Sequence, residues 1–374
     1  MSTETSAQVT ALAKPGVQKL HPYQAGKPIE ELERELGIKG AVKLASNENP
    51  LGISPVARQA VEKELVNGAR YPDGNGYYLK RRLAEKLLVS EAQLTLGNGS
   101  NDILELVARA FLTPEHNAVI SQHAFIVYKL AVTEQQSELR EVPAVDWGHD
   151  LLAMATAVDE NTRVMYIANP NNPTGTWSGL AEIEQLLDTV PDTVIVVVDE
   201  AYFEYVDKMD YQSALTLLPD HPNLIVTRTF SKAYGLAALR AGYAVSHPAV
   251  ANLLNRLRQP FNVNSLALAA AEAVLDDEQY LKKSVEVNHQ GYAQLSAGFD
   301  GLGLHYIPSA GNFIAVEIEN AAEVYQLLLK EGVIVRPVDI YGMPGHLRIS
   351  IGLFEENRRC LDAMARVLSR GGQH

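Results

Sequence analysis

Short β-branched runs alternate with helical stretches from Gly76 to Ser246, and this alternation constrains the fold more than any other feature. Helices are predicted over Gly76 to Leu88, Asn101 to Phe111 and Leu180 to Thr189, and buried strands over Val119 to Ser121, Val164 to Ala168, Val194 to Val198 and Leu224 to Thr227. Strands that alternate with helices form a mainly parallel sheet with helices on both faces. The sequence therefore predicts an α/β fold.

The pattern changes after Pro260, where long helices precede short strands. Helices are predicted over Ser265 to Leu275, Gln279 to Ala297, Ala321 to Lys330 and from Glu355, and strands near Phe313 to Ile318, Val333 to Arg336 and Leu347 to Ile351. We therefore predict a large domain over residues 51–275 and a smaller α+β domain over 276–374. Residues 1–50 are predicted to form an N-terminal arm and part of the small domain.

Charge and cysteine content exclude several classes of protein. A formal net charge of -13 disfavours a nucleic-acid or anionic membrane partner. Cys360 is the single cysteine, so no intrachain disulfide and no cysteine-based metal site is expected. The first residues lack a secretion signal, and no apolar run approaches the roughly 20 residues that span a bilayer. We expect a cytoplasmic protein without a metal.

Lys232 lies among hydroxyl and guanidinium side chains, just after the predicted strand at Leu224 to Thr227. A lone lysine after a strand is usually a solvated surface residue. Here hydroxyls at Thr229 and Ser231 and the guanidinium of Arg240 are groups that bind a phosphate, and a lysine beside them can form an imine with a cofactor aldehyde. The segment from Thr229 to Arg240 resembles the cofactor-lysine motif of fold-type I aminotransferases. That resemblance implies pyridoxal 5'-phosphate on Lys232.

Two further motifs precede Lys232 in the order that the same family shows. In the turn from Asn169 to Gly175, the resemblance implies that Asn172 binds the 3-oxygen of the cofactor, although such residues also form ordinary turns. Asp199 follows an apolar run, and a buried carboxylate needs a partner such as a protonated pyridine nitrogen. Tyr202 is expected to reach the 3-oxygen. The alternatives are a strand cap for Asp199 and a core aromatic for Tyr202.

A glycine turn before a predicted helix is the candidate phosphate site. Backbone N–H groups of Gly99, Ser100 and Asn101 are expected to bind the cofactor phosphate at the start of the helix. The resemblance implies that Phe125 stacks on the pyridine ring, although His123-Ala124 replaces the usual proline-threonine lead-in. A buried core aromatic is the alternative for Phe125.

Motifs across nearly the whole chain resemble the histidinol-phosphate aminotransferases, within the class I and II aminotransferases. They are His21-Pro22-Tyr23, Ser46 to Gly52, Tyr71-Pro72-Asp73, Val335-Arg336-Pro337 and Leu347 to Ser350. Within the second motif, the resemblance implies that Asn47 binds the substrate. The resemblance implies that Arg348 binds the α-carboxylate of the substrate and that Arg336 with Tyr23 binds its distal phosphate. Tyr71 is expected to reach the cofactor phosphate of the other subunit in a homodimer. Each arginine has the alternative of a surface salt bridge.

The reaction that this resemblance implies moves an amino group between histidinol phosphate and 2-oxoglutarate, in histidine biosynthesis, by a ping-pong mechanism. An aromatic amino-acid aminotransferase and a phosphothreonine-type decarboxylase remain alternatives. A pyridoxal-phosphate-binding transcription regulator would need a basic DNA-binding domain, for which the residues before Tyr23 leave no room. A dinucleotide oxidoreductase would rest on Gly97-Asn98-Gly99, which lacks the full glycine fingerprint and leaves Lys232 unexplained.

Overall fold

Thirteen strands run through the part of the chain that the computed structural model describes, residues 9–22 and 26–371. They are β1 (Val42–Lys43), β2 (Leu94–Gly97), β3 (Asn117–Ser121), β4 (Glu138–Val142), β5 (Thr162–Ala168), β6 (Ile195–Asp199), β7 (Leu224–Thr229), β8 (Gly242–Ser246), β9 (Tyr306–Ile307), β10 (Phe313–Glu317), β11 (Val333–Ile334), β12 (Arg336–Pro337) and β13 (His346–Ser350).

The α-helices are α1 (Pro15–Gln18), α2 (Ile29–Leu36), α3 (Pro55–Glu64), α4 (Tyr77–Leu87), α5 (Ser100–Phe111), α6 (Ile126–Glu134), α7 (Leu151–Thr156), α8 (Leu180–Thr189), α9 (Pro248–Leu257), α10 (Ser265–Val274), α11 (Glu278–Gly301), α12 (Ala321–Lys330) and α13 (Phe354–Gly371). Within the described ranges, none of the helices is long and apolar enough to cross a membrane.

A seven-stranded sheet forms the larger unit, with the strand order β2-β8-β7-β6-β5-β3-β4. Every neighbouring pair is parallel except the two pairs that involve β8. Side chains of β6 alternate between two cores: Val196 and Val198 join one apolar cluster, whereas Ile195 and Val197 join the other. Both faces are therefore buried under helices, and the predicted α/β fold is confirmed.

The smaller unit is built on the antiparallel sheet β12-β13-β10-β9 and on the short parallel pair of β1 and β11. Its apolar cluster includes Leu295 and Phe299 of α11, Ile314 of β10 and Leu44. The segment that contains Leu44 thus packs on the smaller unit, although it is about 250 residues away in sequence from the other members of this cluster. The domain boundaries at residues 50 and 275 stay predictions.

The strand predicted over Val333 to Arg336 is wrong as a single element. Val333–Ile334 pairs with β1, whereas Arg336–Pro337 pairs with β13 in a different sheet. Pro337 lacks an N–H group and lies in a strand at the edge of its sheet, where proline is tolerated. This division turns Arg336 towards the same cavity that the carboxyl ends of the parallel strands face.

Candidate active site

A cavity of about 200 Å³ lies at the carboxyl ends of β5, β6 and β7, where an open α/β sheet binds ligands. It brings together most of the predicted site residues: Asn47, Ser100, Asn101, Phe125, Asn172, Asp199, Tyr202, Thr229, Ser231, Lys232, Arg240, Arg336 and Arg348. Gly99 adjoins it through Arg240. Tyr23 lies outside the described residues, and Tyr71 does not line the cavity of its own chain.

Lys232 lies in the connection after β7, with its amine inside the cavity. Its Nζ donates a hydrogen bond to the carbonyl of Ser46 at 3.3 Å and lies 5.7 Å from the centre of the Tyr202 ring. Burial lowers the pKa of Lys232 to about 8, and the positive charge of Arg348 acts in the same direction. A larger fraction of this amine is therefore neutral near physiological pH than for an ordinary lysine, as a nucleophile requires.

Asp199 is the last residue of β6 and is almost fully buried. The Tyr128 hydroxyl donates to Oδ2 at 3.0 Å, and the Thr227 hydroxyl donates to Oδ1 at 2.9 Å. Burial nevertheless raises the pKa of Asp199 to about 6. A cation close to this carboxylate would stabilise its charged form, as the predicted pyridine partner requires.

Tyr202 is oriented by a chain of hydrogen bonds that reaches the smaller unit. Asn47 Nδ2 donates to the Tyr202 hydroxyl oxygen at 3.0 Å, and the Ser350 hydroxyl donates to Asn47 Oδ1 at 2.9 Å. Burial raises the pKa of Tyr202 to about 12, so the phenol keeps its proton. Because its oxygen already accepts from Asn47, this proton is available for a ligand oxygen.

Arg348 and Asn172 form a buried pair at the wall of the cavity. Arg348 donates to Asn172 Oδ1 and to the carbonyl of Ala45, the latter at 2.8 Å. Its guanidinium lies 5.3 Å from the centre of the Phe313 ring. Because arginine can only donate, the oxygen of the Asn172 amide faces Arg348, and the amide NH₂ is left to donate elsewhere.

An anion cradle lies where α5 begins at Ser100. Arg240 donates to the Ser231 hydroxyl at 3.1 Å, and a Cβ added to Gly99 would lie only 2.4 Å from Arg240 Nη2. The Ser231 N–H in turn donates to Thr229 Oγ1 at 3.1 Å. A helix N-terminus, a guanidinium and two hydroxyls therefore converge where only glycine allows so close an approach.

Phe125 caps the start of α6 and is half-buried at the cavity wall. Its ring meets the Tyr128 ring edge to face, with 5.8 Å between the ring centres. The unusual lead-in to Phe125 is accommodated by a left-handed backbone at His123, where φ is 59°. The ring of Phe125 thus lines the cavity at the predicted position, after a turn with a left-handed residue at His123.

Other residues of the site were not predicted from the sequence. Tyr341 and Ser46 line the cavity, while Tyr128 and Thr227 hold Asp199 from behind. Thr227 had a partial signal, because it ends the strand predicted before Lys232, but its pairing with Asp199 is visible only in the structure. Tyr341 had none, since its loop reaches the cavity only through the packing of the smaller unit.

The arrangement fits pyridoxal phosphate. An amine, an acid, two donors for a phenolic oxygen, an aromatic wall and an anion cradle correspond to the aldehyde, ring nitrogen, 3-oxygen, ring face and phosphate of that cofactor. In residues 9–22 and 26–371 no group of three or more His, Cys, Asp or Glu side chains is arranged to hold a metal ion.

Comparisons with known proteins agree with this geometry. The family described as aminotransferase class I and II matches residues 39–364. The chain is 62% identical over 362 residues to histidinol-phosphate aminotransferase 2 of Pseudomonas aeruginosa, covering 96% of this chain and 98% of that protein. It is 60% identical to histidinol-phosphate aminotransferase 2 of Pseudomonas fluorescens, covering 98% of this chain and 100% of that protein.

Solved structures give the same result for the fold. The crystal structure of histidinol-phosphate aminotransferase from Sinorhizobium meliloti in complex with pyridoxal-5'-phosphate has a TM-score of 0.90 at 30% identity, covering 96% of this chain and 98% of that one. A double mutant of aspartate aminotransferase from Thermus thermophilus shares the fold, with a TM-score of 0.83 at 22% identity, covering 95% of this chain and 99% of that one.

Proposed function

This chain belongs to the class I and II aminotransferases, and from that premise we propose that it transfers an amino group between histidinol phosphate and 2-oxoglutarate. The products are imidazole-acetol phosphate and glutamate, in histidine biosynthesis. The observation that carries this choice of substrate is identity of about 60% across nearly the whole chain to proteins named histidinol-phosphate aminotransferase. The arginines of the cavity agree with it, because both amino acceptor and amino donor carry anionic groups.

The residues of the cavity would hold the cofactor in one orientation. When bound, pyridoxal 5'-phosphate supplies an aldehyde that binds amines and a protonated ring that accepts the electron pair released at the substrate α-carbon. Asp199 would hold the ring nitrogen, and Asn172 and Tyr202 would donate to the 3-oxygen. Phe125 would lie flat on the ring. The phosphate would be held by Gly99, Ser100, Asn101, Thr229, Ser231 and Arg240.

Lys232 is proposed to be both the attachment point and the acid-base group. Its lowered pKa leaves the neutral amine available to take a proton from the substrate α-carbon. The resulting ammonium can return a proton, so one side chain serves both directions of transfer. The carbonyl of Ser46 holds the amine inside the cavity between these steps.

Two arginines are proposed to select the substrates by their anionic ends. Arg348 would bind the α-carboxylate of glutamate and 2-oxoglutarate, since its bonds to Asn172 and Ala45 hold the guanidinium in place. Arg336, with Tyr23, would bind the phosphate of histidinol phosphate. Tyr71 would complete the site of the other subunit in a cytoplasmic homodimer.

An aromatic amino-acid aminotransferase is the second candidate, because Tyr341, which has no role towards the cofactor, adds an aromatic side chain to the cavity that suits a phenylalanine ring. The two candidates share every cofactor residue. They differ in whether a phosphate on the amino donor contributes to binding.

Arg336→Ala tests the choice between these substrates. Loss of a charge-assisted contact to a dianion should lower kcat/KM for histidinol phosphate about a hundredfold, or a few kcal/mol, and change that for phenylalanine much less. Steady-state rates with both donors measure the difference. Arg358→Ala removes an exposed arginine of α13 and should leave both rates unchanged. Equal losses for the two donors, or a wild-type preference for phenylalanine, would favour the aromatic aminotransferase.

A further inference from the structure

His123 is bonded on two sides, although no part of the proposed chemistry uses it. Asn171 Nδ2 donates to the His123 carbonyl at 3.1 Å, and His123 Nδ1 lies 2.6 Å from the carbonyl of Tyr341. A carbonyl only accepts, so Nδ1 carries the proton and is the donor. The side chain is buried, which makes loss of this donor costly for the carbonyl that it satisfies.

The three residues joined by these hydrogen bonds either line the cavity or lie within two residues of one that does. Asn171 precedes Asn172, and His123 lies two residues before Phe125, so both belong to the larger unit. Tyr341 belongs to the smaller unit and lines the cavity itself. The His123 side chain therefore connects the two halves of the cavity with one hydrogen bond.

The loop that carries Tyr341 also joins the strands of the two substrate arginines. Arg336 is in β12 and Arg348 is in β13, and the loop between these strands runs over residues 338–345. Among its hydrogen bonds is the one from His123 to the Tyr341 carbonyl. A shift of this loop would therefore move Tyr341 relative to both arginines.

Backbone and packing hold His123 in this orientation. Its φ of 59° is uncommon for a residue with a side chain, and such conformations persist where the surrounding structure imposes them. The ring lies 5.3 Å from the Trp147 ring, and Trp147 meets His346 edge to face at 4.8 Å. The contacts thus continue to β13, two residues before Arg348.

We propose that His123 is a positioning residue that holds Tyr341 at the cavity wall, where Tyr341 contacts the amino substrate and contributes to its selection. This inference rests on the proposed function, because it puts the amino substrate in this cavity. Tyr341 is the residue that touches substrate, and His123 acts through it.

Variants of His123 in the holoenzyme test the positioning role. His123→Ala should raise KM for the amino donor about tenfold with a smaller change in kcat, since the lost bond loosens a binding wall rather than the reacting groups. His123→Asn keeps an N–H donor near the position of Nδ1 and should bring KM back to within about threefold of wild type. His305→Ala, an exposed histidine without a role in the cavity, should change neither value.

A merely structural role predicts a different pattern. It would lower the melting temperature and kcat through loss of active enzyme and leave KM unchanged, and that outcome overturns the proposal. His123→Gln fills similar space but moves the donor, so it should raise KM as His123→Ala does. It provides the same test where the alanine variant fails to fold.

A double-mutant cycle tests whether the effect passes through Tyr341. Tyr341→Leu should itself raise KM for the amino donor, and adding His123→Ala to it should raise KM less than about twofold further, because the ring that His123 positions is already gone. Independent, multiplicative effects would overturn the proposal. KM is measured in all four proteins of the cycle with the amino donor that the wild-type enzyme uses, whether that is histidinol phosphate or phenylalanine. Failure of histidinol phosphate as a donor therefore contradicts the proposed function alone.

Discussion

The two ionisable groups at the centre of the site are shifted towards their neutral forms. Burial lowers the pKa of Lys232 to about 8 and raises the pKa of Asp199 to about 6. Desolvation is the larger cause in both cases, since a cavity with low dielectric penalises either sign of charge. Both groups still remain mostly ionised near pH 7, and a bound cation near Asp199 would lower the pKa of its carboxyl and stabilise the charged form further.

Asp199→Asn should stabilise the cofactor-free protein while slowing transamination severely. The pKa in the folded state is above the ordinary value of 3.8, so the contribution of Asp199 to stability is complete below about pH 4 and is lost as the pH rises through about 6. At pH 8 the variant should gain on the order of 2 kcal/mol in the free energy of unfolding, and at pH 4 almost nothing. Urea unfolding at the two pH values measures this gain.

The matched control for this stability test is Asp192→Asn, an exposed aspartate before the same strand. It should change neither stability nor activity. A variant Asp199→Asn with normal turnover would show that Asp199 is a strand cap. Equal stability at pH 8 would show that its burial carries no cost.

At the scale of elements, the sequence predicts best the central parallel strands that contain β-branched apolar runs. β5, β6 and β7 each contain a run of apolar residues, and the site residues at or just after their carboxyl ends were predicted. β4 lies at the sheet edge and reads Glu-Leu-Arg-Glu-Val, so no apolar run marks it. The sequence cannot indicate Tyr341, because its place depends on how a distant loop packs.

Gly99→Ala tests the cradle at the start of α5. The added Cβ would lie 2.4 Å from Arg240 Nη2, and a φ of 80° is unfavourable for alanine, so Arg240 must move away from the phosphate position. The dissociation constant of pyridoxal phosphate should rise at least about tenfold, because a charge-assisted contact is lost. Titration of the cofactor-free protein by fluorescence measures it.

Gly301→Ala is the control for Gly99→Ala. Gly301 ends α11, and a Cβ there meets no atom within 4 Å. Cofactor affinity should stay at the wild-type value, and alanine should stabilise the helix by up to about 1 kcal/mol. Unchanged affinity in Gly99→Ala would contradict the assignment of the cradle.

At the scale of the whole molecule, several large aromatic side chains are exposed. Tyr71 is 83% exposed and its ring stacks on that of Phe261, with 4.8 Å between the ring centres, and Phe261 is itself exposed. Tyr77 and Tyr78 nearby in the chain are also exposed. Large exposed aromatic side chains mark contact surfaces, which supports the proposed homodimer.

Mixing two inactive variants tests whether Tyr71 serves the other subunit. Lys232→Ala and Tyr71→Ala subunits, exchanged with each other, should regain activity, because one of the two sites in each heterodimer then contains both intact residues. Activity before and after exchange is the measurement. Each variant mixed with itself should stay inactive. If mass spectrometry confirms exchange and no activity returns, Tyr71 acts within its own chain.

The bond between Asn47 and Ser350 joins residues 303 positions apart. At the usual speed of translation, about 5–20 residues per second, the ribosome needs roughly 15 to 60 s to add that length of chain. Lys232 and Asp199 leave the ribosome well before β13 is made. A nascent chain, or one that is terminated before β13, thus has its reactive amine without the strand that supplies Arg348 and the support for Tyr202.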